Sequence, residues 1–116
     1  MRNDLQDRLF VFAVKVLKFL RKLPDTPEYK TIRYQLSKSA TSSGANYEES
    51  QAGSSKPDFT NKVRIALREM RESNYWLRII DAINDNLNNS SELQWLIKES
   101  TELKKILGSI VTRSKN

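Results

Sequence analysis

The chain contains neither histidine nor cysteine. Without an imidazole or a thiol it cannot build a Ser-His-Asp triad, a Cys-His pair, a disulfide, a zinc finger or most transition-metal sites. Glycine and proline are also scarce, with three of each in 116 residues, which argues against a turn-rich all-β sandwich and favours helices. No apolar run has the character of a membrane span. The stretch from Leu9 to Leu20 is interrupted by Lys15 and Lys18, and Met1 to Asp7 mixes both charges as a secretory signal does not. The expectation is one cytoplasmic domain, not an enzyme, with no cofactor and no membrane partner.

Positive charge is abundant. Lys and Arg number 20 against 14 Asp and Glu, a formal net charge of +6, and polyanions such as structured RNA are the natural electrostatic partners for that surplus. With 38% hydrophobic and 29% charged residues the chain has enough apolar material for a single core.

Apolar periodicity predicts four helices, at about 4–23, 27–52, 56–86 and 91–112. In the first, Leu5, Leu9, Phe12, Val16, Phe19 and Leu23 form a seam. A second stripe of Phe10, Ala13, Leu17 and Leu20 leaves more apolar surface than one neighbouring face can cover. Pro24 and Pro27 break this helix, and Thr26 with Pro27 starts the next. That second helix carries the low-bulk stretch Ser39-Ala40-Thr41-Ser42-Ser43-Gly44-Ala45. Gly44 costs a helix about 1 kcal/mol relative to Ala, so either small residues admit a neighbouring backbone here or a loop divides two shorter helices. Ser55 and Asp58 form a capping box for the third helix, whose seam is Phe59, Val63, Ala66, Met70, Ser73, Leu77 and Ile80. Beyond the Asn-rich stretch Asn84 to Asn89, Ser91 with Gln94 is expected to cap the fourth. Its seam is Leu93, Leu96, Ser100, Leu103, Leu107 and Ile110, and Gly108 lets its end fray. Asn88-Asn89-Ser90 has the form of a glycosylation sequon but reads better as a loop with a helix cap.

Short polar connections between such helices imply an all-α, antiparallel up-down-up-down four-helix bundle. The apolar excess on the first helix, with Trp76 and Trp95, implies that the bundle self-associates.

The candidate binding residues lie mainly on the third helix. Arg64, Arg68, Arg71 and Arg78 fall in one stripe with Tyr75, where guanidinium groups can hold phosphates and the phenol ring can stack on a base. Against this stands a solvated face in which Glu72 and Asp81 neutralise the row. Lys15, Lys18 and Lys22, with Arg21, form a second and looser cluster on the first helix. That helix resembles a membrane-surface amphipath, but its apolar stripes are needed for the core. Glu69 and Glu72 fall in the otherwise apolar row Ile65, Trp76, Ile79 and Ile83, so partial burial is expected, with Asn46, Lys62 or arginines as partners; Glu48 and Glu49 raise the same question. A di-metal carboxylate site built on such glutamates lacks the histidine it normally pairs with them, and no metal site is expected.

The block Gln35-Leu36-Ser37-Lys38-Ser39-Ala40-Thr41-Ser42-Ser43-Gly44-Ala45-Asn46-Tyr47-Glu48-Glu49, followed by Asp58-Phe59, Ile65-Ala66-Leu67-Arg68-Glu69 and Glu72-Ser73-Asn74-Tyr75-Trp76-Leu77, resembles the 23S ribosomal RNA intervening-sequence protein family of bacterial four-helix bundles. The resemblance spans nearly the whole chain. It implies a ring-like homo-oligomer, a pentamer, often encoded within intervening sequences of 23S rRNA genes, with a biochemical role that the family leaves undefined. A related branch, the accessory variability protein of diversity-generating retroelements, is a basic pentameric barrel that binds nucleic acid and a reverse transcriptase; the Gly-Ala-Asn-Tyr-Glu-Glu block departs from that branch. Gly44, Asn46, Glu48, Glu49, Glu69, Glu72 and Trp76 stand at recurrent motif positions, which the resemblance assigns to fold or assembly and not to catalysis. Two functions follow as expectations: binding of structured RNA through the basic stripe, or a protein-interaction scaffold whose charge is incidental.

Overall fold

The computed structural model describes residues 4–53, 55–85 and 90–114. It contains four helices: α1 (Asp4–Leu20), α2 (Pro27–Ser50), α3 (Lys56–Ile83) and α4 (Ser91–Ser114). Each packs on its neighbours in chain order and α1 closes against α4, so α1 and α3 stand at opposite corners of the bundle, as do α2 and α4. The register of the cross-helix contacts makes every neighbouring pair antiparallel. Ser39 meets Ser73 while Ser43 meets Ala66; Asn74 meets Ser100 while Thr60 meets Ser114; Arg8 meets Glu99 while Lys22 meets Glu92. The expected up-down-up-down bundle is therefore present.

The helix ends follow local chemistry. α1 stops at Leu20, three residues before the expected end, because the N–H groups of Arg21, Lys22 and Leu23 turn back to carbonyls three residues earlier and tighten the chain ahead of Pro24. Leu23 is still buried. Thr26 caps α2 by accepting the Tyr29 N–H at 3.3 Å, with Pro27 at the first helical position, as expected. α2 ends at Ser50 where 52 was expected; the N–H groups of Gln51 and Ala52 close onto Glu48 and Glu49, and Gly53 takes φ +83°, a left-handed conformation that suits glycine. Ser55 accepts the Asp58 N–H at 3.3 Å and starts α3. α3 closes at Ile83, with the Asn84 side chain donating to the Asp81 carbonyl; the expected end at 86, together with Asn88 and Asn89 of the sequon, falls outside the described residues.

Two expectations for α4 are corrected. Ser90, not Ser91, is the cap: its Oγ accepts the Leu93 N–H at 3.2 Å and its carbonyl accepts from Gln94. Val111, not Ile110, ends the seam, because the buried sequence Leu103, Leu107, Val111 keeps a spacing of four in the last two turns; Ile110 is half-buried. The helix extends to Ser114, beyond the expected 112, with no break at Gly108.

The core is built from Leu9, Phe12, Val16 and Phe19 of α1, Ile32, Leu36 and Ala40 of α2, Val63, Ala66, Met70, Leu77 and Ile80 of α3, and Leu93, Leu96, Leu103 and Leu107 of α4. α2 is continuous through its low-bulk stretch, which removes the two-helix alternative. Small side chains serve close approach there: Ser43 Oγ donates to the Ala66 carbonyl of α3 at 2.8 Å, and Ser39 Oγ lies 2.8 Å from Ser73 Oγ. Thr41, Ser39 and Asn46 also return hydrogen bonds to carbonyls of α2 itself. Gly44 plays a lesser part. A Cβ placed on it would meet Leu9 Cβ at 3.5 Å and the Leu9 carbonyl oxygen at 3.6 Å, ordinary van der Waals contact. Gly44→Ala should therefore raise stability by up to about 1 kcal/mol, the helix-propensity difference, as measured by chemical denaturation; a loss of that size would mean that α1 sits closer than these distances allow.

Candidate nucleic-acid interface

The third helix buries Val63, Ala66, Met70, Ser73, Leu77 and Ile80, and the same 3.6-residue period turns Arg64, Arg68, Arg71, Tyr75 and Arg78 outward, where all five are exposed. The row is sparsely neutralised. Its shortest approach to a carboxylate among the described residues is Arg68 to Glu69, 3.9 Å apart. Arg64 Nη1 donates to Asn61 Oδ1 at 3.0 Å, Arg78 Nε donates to Asn74 Oδ1 at 2.9 Å, and the Arg78 guanidinium stands 5.8 Å from the centre of the Tyr75 ring. The neutralising pairs expected of Glu72 and Asp81 do not form. Glu72 instead accepts from Trp76 Nε1 at 3.1 Å, and Asp81 accepts from Gln94 of α4 at 3.0 Å.

The lysine cluster of α1 lies at the opposite corner and is partly consumed by packing. Lys15 Nζ sits 4.1 Å from the centre of the Trp95 ring, and Lys22 Nζ pairs with Glu92 at 2.8 Å; Lys18 is exposed. Lys15, on α1, and Lys22, in the turn after it, thus hold α4 more than they extend the arginine row, and only Lys18 is left exposed without such a contact among the described residues. Arg8, which the sequence reading passed over, makes the firmest of these ties. It donates to Glu99 through Nε at 3.0 Å and Nη2 at 2.7 Å and to Glu102 at 3.2 Å, and the hydrogen bonds it donates to Glu99 raise its pKa well above the ordinary arginine value against the opposing effect of burial.

The motif residues divide between two surfaces. Glu69 and Glu72 are half-buried beside α2, as expected, but Asn46 is not their partner, since its side chain donates to Ser42 of its own helix, 2.9 Å from the carbonyl. Lys62 makes no contact with them among the described residues. Trp76 packs on the core and, with Ile79 and Ile83, lines a groove beside Ile32. Glu48 and Glu49 are exposed, so the question of their burial does not arise. Gly44, Ala45 and Glu48 form one wall of a second groove of about 280 Å³, whose other wall is the unpaired apolar stripe of α1. In that stripe Phe10 is 65% exposed and Leu17 39%. Among the described residues no three acidic side chains gather as a metal site would require, and no helix is long and apolar enough to cross a membrane.

Two residues that the sequence does not mark as binding residues adjoin the basic face. Asn74, 1% exposed, bridges α3 to α4, and Lys104 of α4 donates to its Oδ1 at 3.4 Å. Asn74 stands seven residues after Leu67 in the α3 row that faces α4, a place where a polar residue signals a contact between helices.

These observations define a four-helix bundle with a basic face on α3 and an open apolar face on α1. The chain belongs to the 23S rRNA-intervening sequence protein family, whose sequence pattern matches residues 2–109. It is similar to a crystallised protein of unknown function from the S23 ribosomal protein family of Bacteroides thetaiotaomicron, with 31% identity and a TM-score of 0.79 over 92% of this chain and 97% of that one. A search of curated proteins gives no significant match.

Proposed function

We propose that this protein is a non-enzymatic, cytoplasmic, self-associating bundle that binds structured RNA, such as ribosomal RNA, through phosphate contacts from the outward face of α3. One observation carries the reading: Arg64, Arg68, Arg71 and Arg78 share an exposed face whose nearest carboxylate approach among the described residues is 3.9 Å. Guanidinium groups left unneutralised on a regular row suit a polyanion, and contacts made to phosphates give affinity without strong sequence selection. Tyr75, exposed within that row, offers an unpaired base a surface for stacking. Self-association rests on the uncovered part of the second α1 stripe, Phe10 and Leu17, with Val11 exposed beside it; Leu20, expected in that stripe, is buried in the core. A ring of several copies, five if this chain follows the assembly its family resemblance implies, repeats the arginine row and gains avidity without new contacts.

Light scattering with two-wavelength absorbance, on protein purified at low salt without nuclease, tests this directly. The expected result is a multi-chain assembly carrying nucleic acid that high salt releases. The variant Phe10→Gln/Leu17→Gln should be a monomer with weaker RNA binding. A nucleic-acid-free assembly would instead favour the protein-interaction scaffold, for which the apolar groove between α1 and α2 supplies a surface.

A further inference from the structure

The contact between α3 and α4 holds an arrangement that the arginine row does not account for. The Asn74 side chain is buried, and the two N–H groups of its Nδ2 point at Ser100 Oγ, 2.9 Å away, and Thr101 Oγ1, 3.1 Å away, with the Ile97 carbonyl at 3.4 Å sharing one of them. Those contacts fix the amide, so its Oδ1 must face the other way, where it accepts both Arg78 Nε at 2.9 Å and Lys104 Nζ at 3.4 Å. Two cations from different helices are thus gathered on one neutral oxygen. Neither forms an ion pair among the described residues, although Asp81 lies one turn from Arg78 and is occupied by Gln94. The amide nitrogen serves the acceptors of α4 and leaves the neutral oxygen for the two cations, which it orients without neutralising, as a carboxylate there would. The remaining guanidinium N–H groups of Arg78 and the remaining ammonium donors of Lys104 have no partner among the described residues.

We infer that Asn74 is a positioning residue that sets Arg78 and Lys104 as a paired phosphate-binding site across α3 and α4. The inference rests on the RNA-binding reading and deepens it. The ligand is a backbone phosphodiester, which accepts paired hydrogen bonds from a guanidinium and a point charge from an ammonium. Arg71 and Arg64 continue from Arg78 at seven-residue intervals, about 10.5 Å each along α3, so the pair forms one end of a stripe. The RNA footprint then straddles two helices.

The experiment is fluorescence anisotropy of a labelled RNA hairpin across a salt series, with Lys104→Gln, Asn74→Asp and, as a control with the same loss of one positive charge, Lys30→Gln on α2. Lys104→Gln and Asn74→Asp are each expected to weaken binding about fivefold at physiological salt and to lower the salt slope by about one phosphate contact. Lys30→Gln should change neither by as much as twofold. Asn74→Asp should do so with a lowered melting temperature, since its second oxygen replaces the amide that donates to α4, while its charge neutralises the two cations in place; a purely structural role would lower the melting temperature without altering the salt slope. If Asn74→Asp does not fold, Lys104→Gln decides alone, because Lys104 is only half-buried and is not part of the apolar core. Equal effects of Lys104→Gln and Lys30→Gln would overturn the pair, as would loss of assembly by Lys104→Gln with the RNA slope intact, which would assign the cations to a subunit contact. Replacement of the four arginines separates the two claims: if it abolishes binding while Lys104→Gln has no effect, only the pair fails, and if it has no effect, the RNA reading fails with it.

Discussion

Replacing Arg64, Arg68, Arg71 and Arg78 together with glutamine is expected to lower affinity for structured RNA by about two to three orders of magnitude at physiological salt. Each guanidinium that neutralises a phosphate releases close to one counterion, so loss of four contacts should reduce the slope of log affinity against log salt by about 3 to 4. The fold should survive. All four side chains are exposed, glutamine is a good helix former, and the largest contact forfeited is the single hydrogen bond from Arg78 to Asn74, so melting should reflect a change of no more than about 1 kcal/mol. Unaltered affinity together with an unaltered slope would remove α3 from the interface. Loss of affinity with an unchanged slope would point to a damaged fold, which circular dichroism on the same sample detects.

Ser43→Leu should be the most damaging single change within the low-bulk stretch of α2. Ser43 is fully buried, and its Oγ lies 2.8 Å from a backbone carbonyl of α3, so the space beside it is bounded by main chain that no rotamer change can move. A leucine must push α3 away from α2, the most extensively packed pair of helices in the bundle. Overpacking of this kind costs about 1–3 kcal/mol, and the lost hydrogen bond adds about 1 kcal/mol, so the melting temperature should fall by more than about 10 °C. Ser43→Ala isolates the hydrogen bond and should cost only about 1 kcal/mol. If the two variants melt alike, close approach at this position is not what the small side chain provides.

Position by position, the core was legible where the chain's own periodicity determines it. Leu9, Phe12, Val16 and Phe19 repeat at three and four because that spacing returns to one side of a helix, and all four are buried. Thr26 and Ser55 were legible as caps because the N–H they satisfy is three residues away on the same chain. Ser90 and Ser91 offer the same hydroxyl one residue apart, and only the folded helix start shows that the Ser90 Oγ accepts the Leu93 N–H. Ile110 and Val111 stand three and four residues after Leu107, and both spacings are helical, so only the packing of the bundle decides that Val111 ends the seam.

The basic face divides the same way. A single helix period places Arg64, Arg68, Arg71 and Arg78 on one side of α3, and this needs no knowledge of the other helices. Whether that charge is spent does. Glu72 is adjacent to the row in sequence yet its carboxylate goes to Trp76, Asp81 goes to Gln94 of α4, and Lys22 of the other basic cluster goes to Glu92. Asn74 and Lys104 come together across 30 residues of chain. Periodicity within a helix is a property of local geometry and can be read along the chain, whereas the pairing of a charge is a competition among every group within a few ångströms, and those neighbours exist only once the helices have packed.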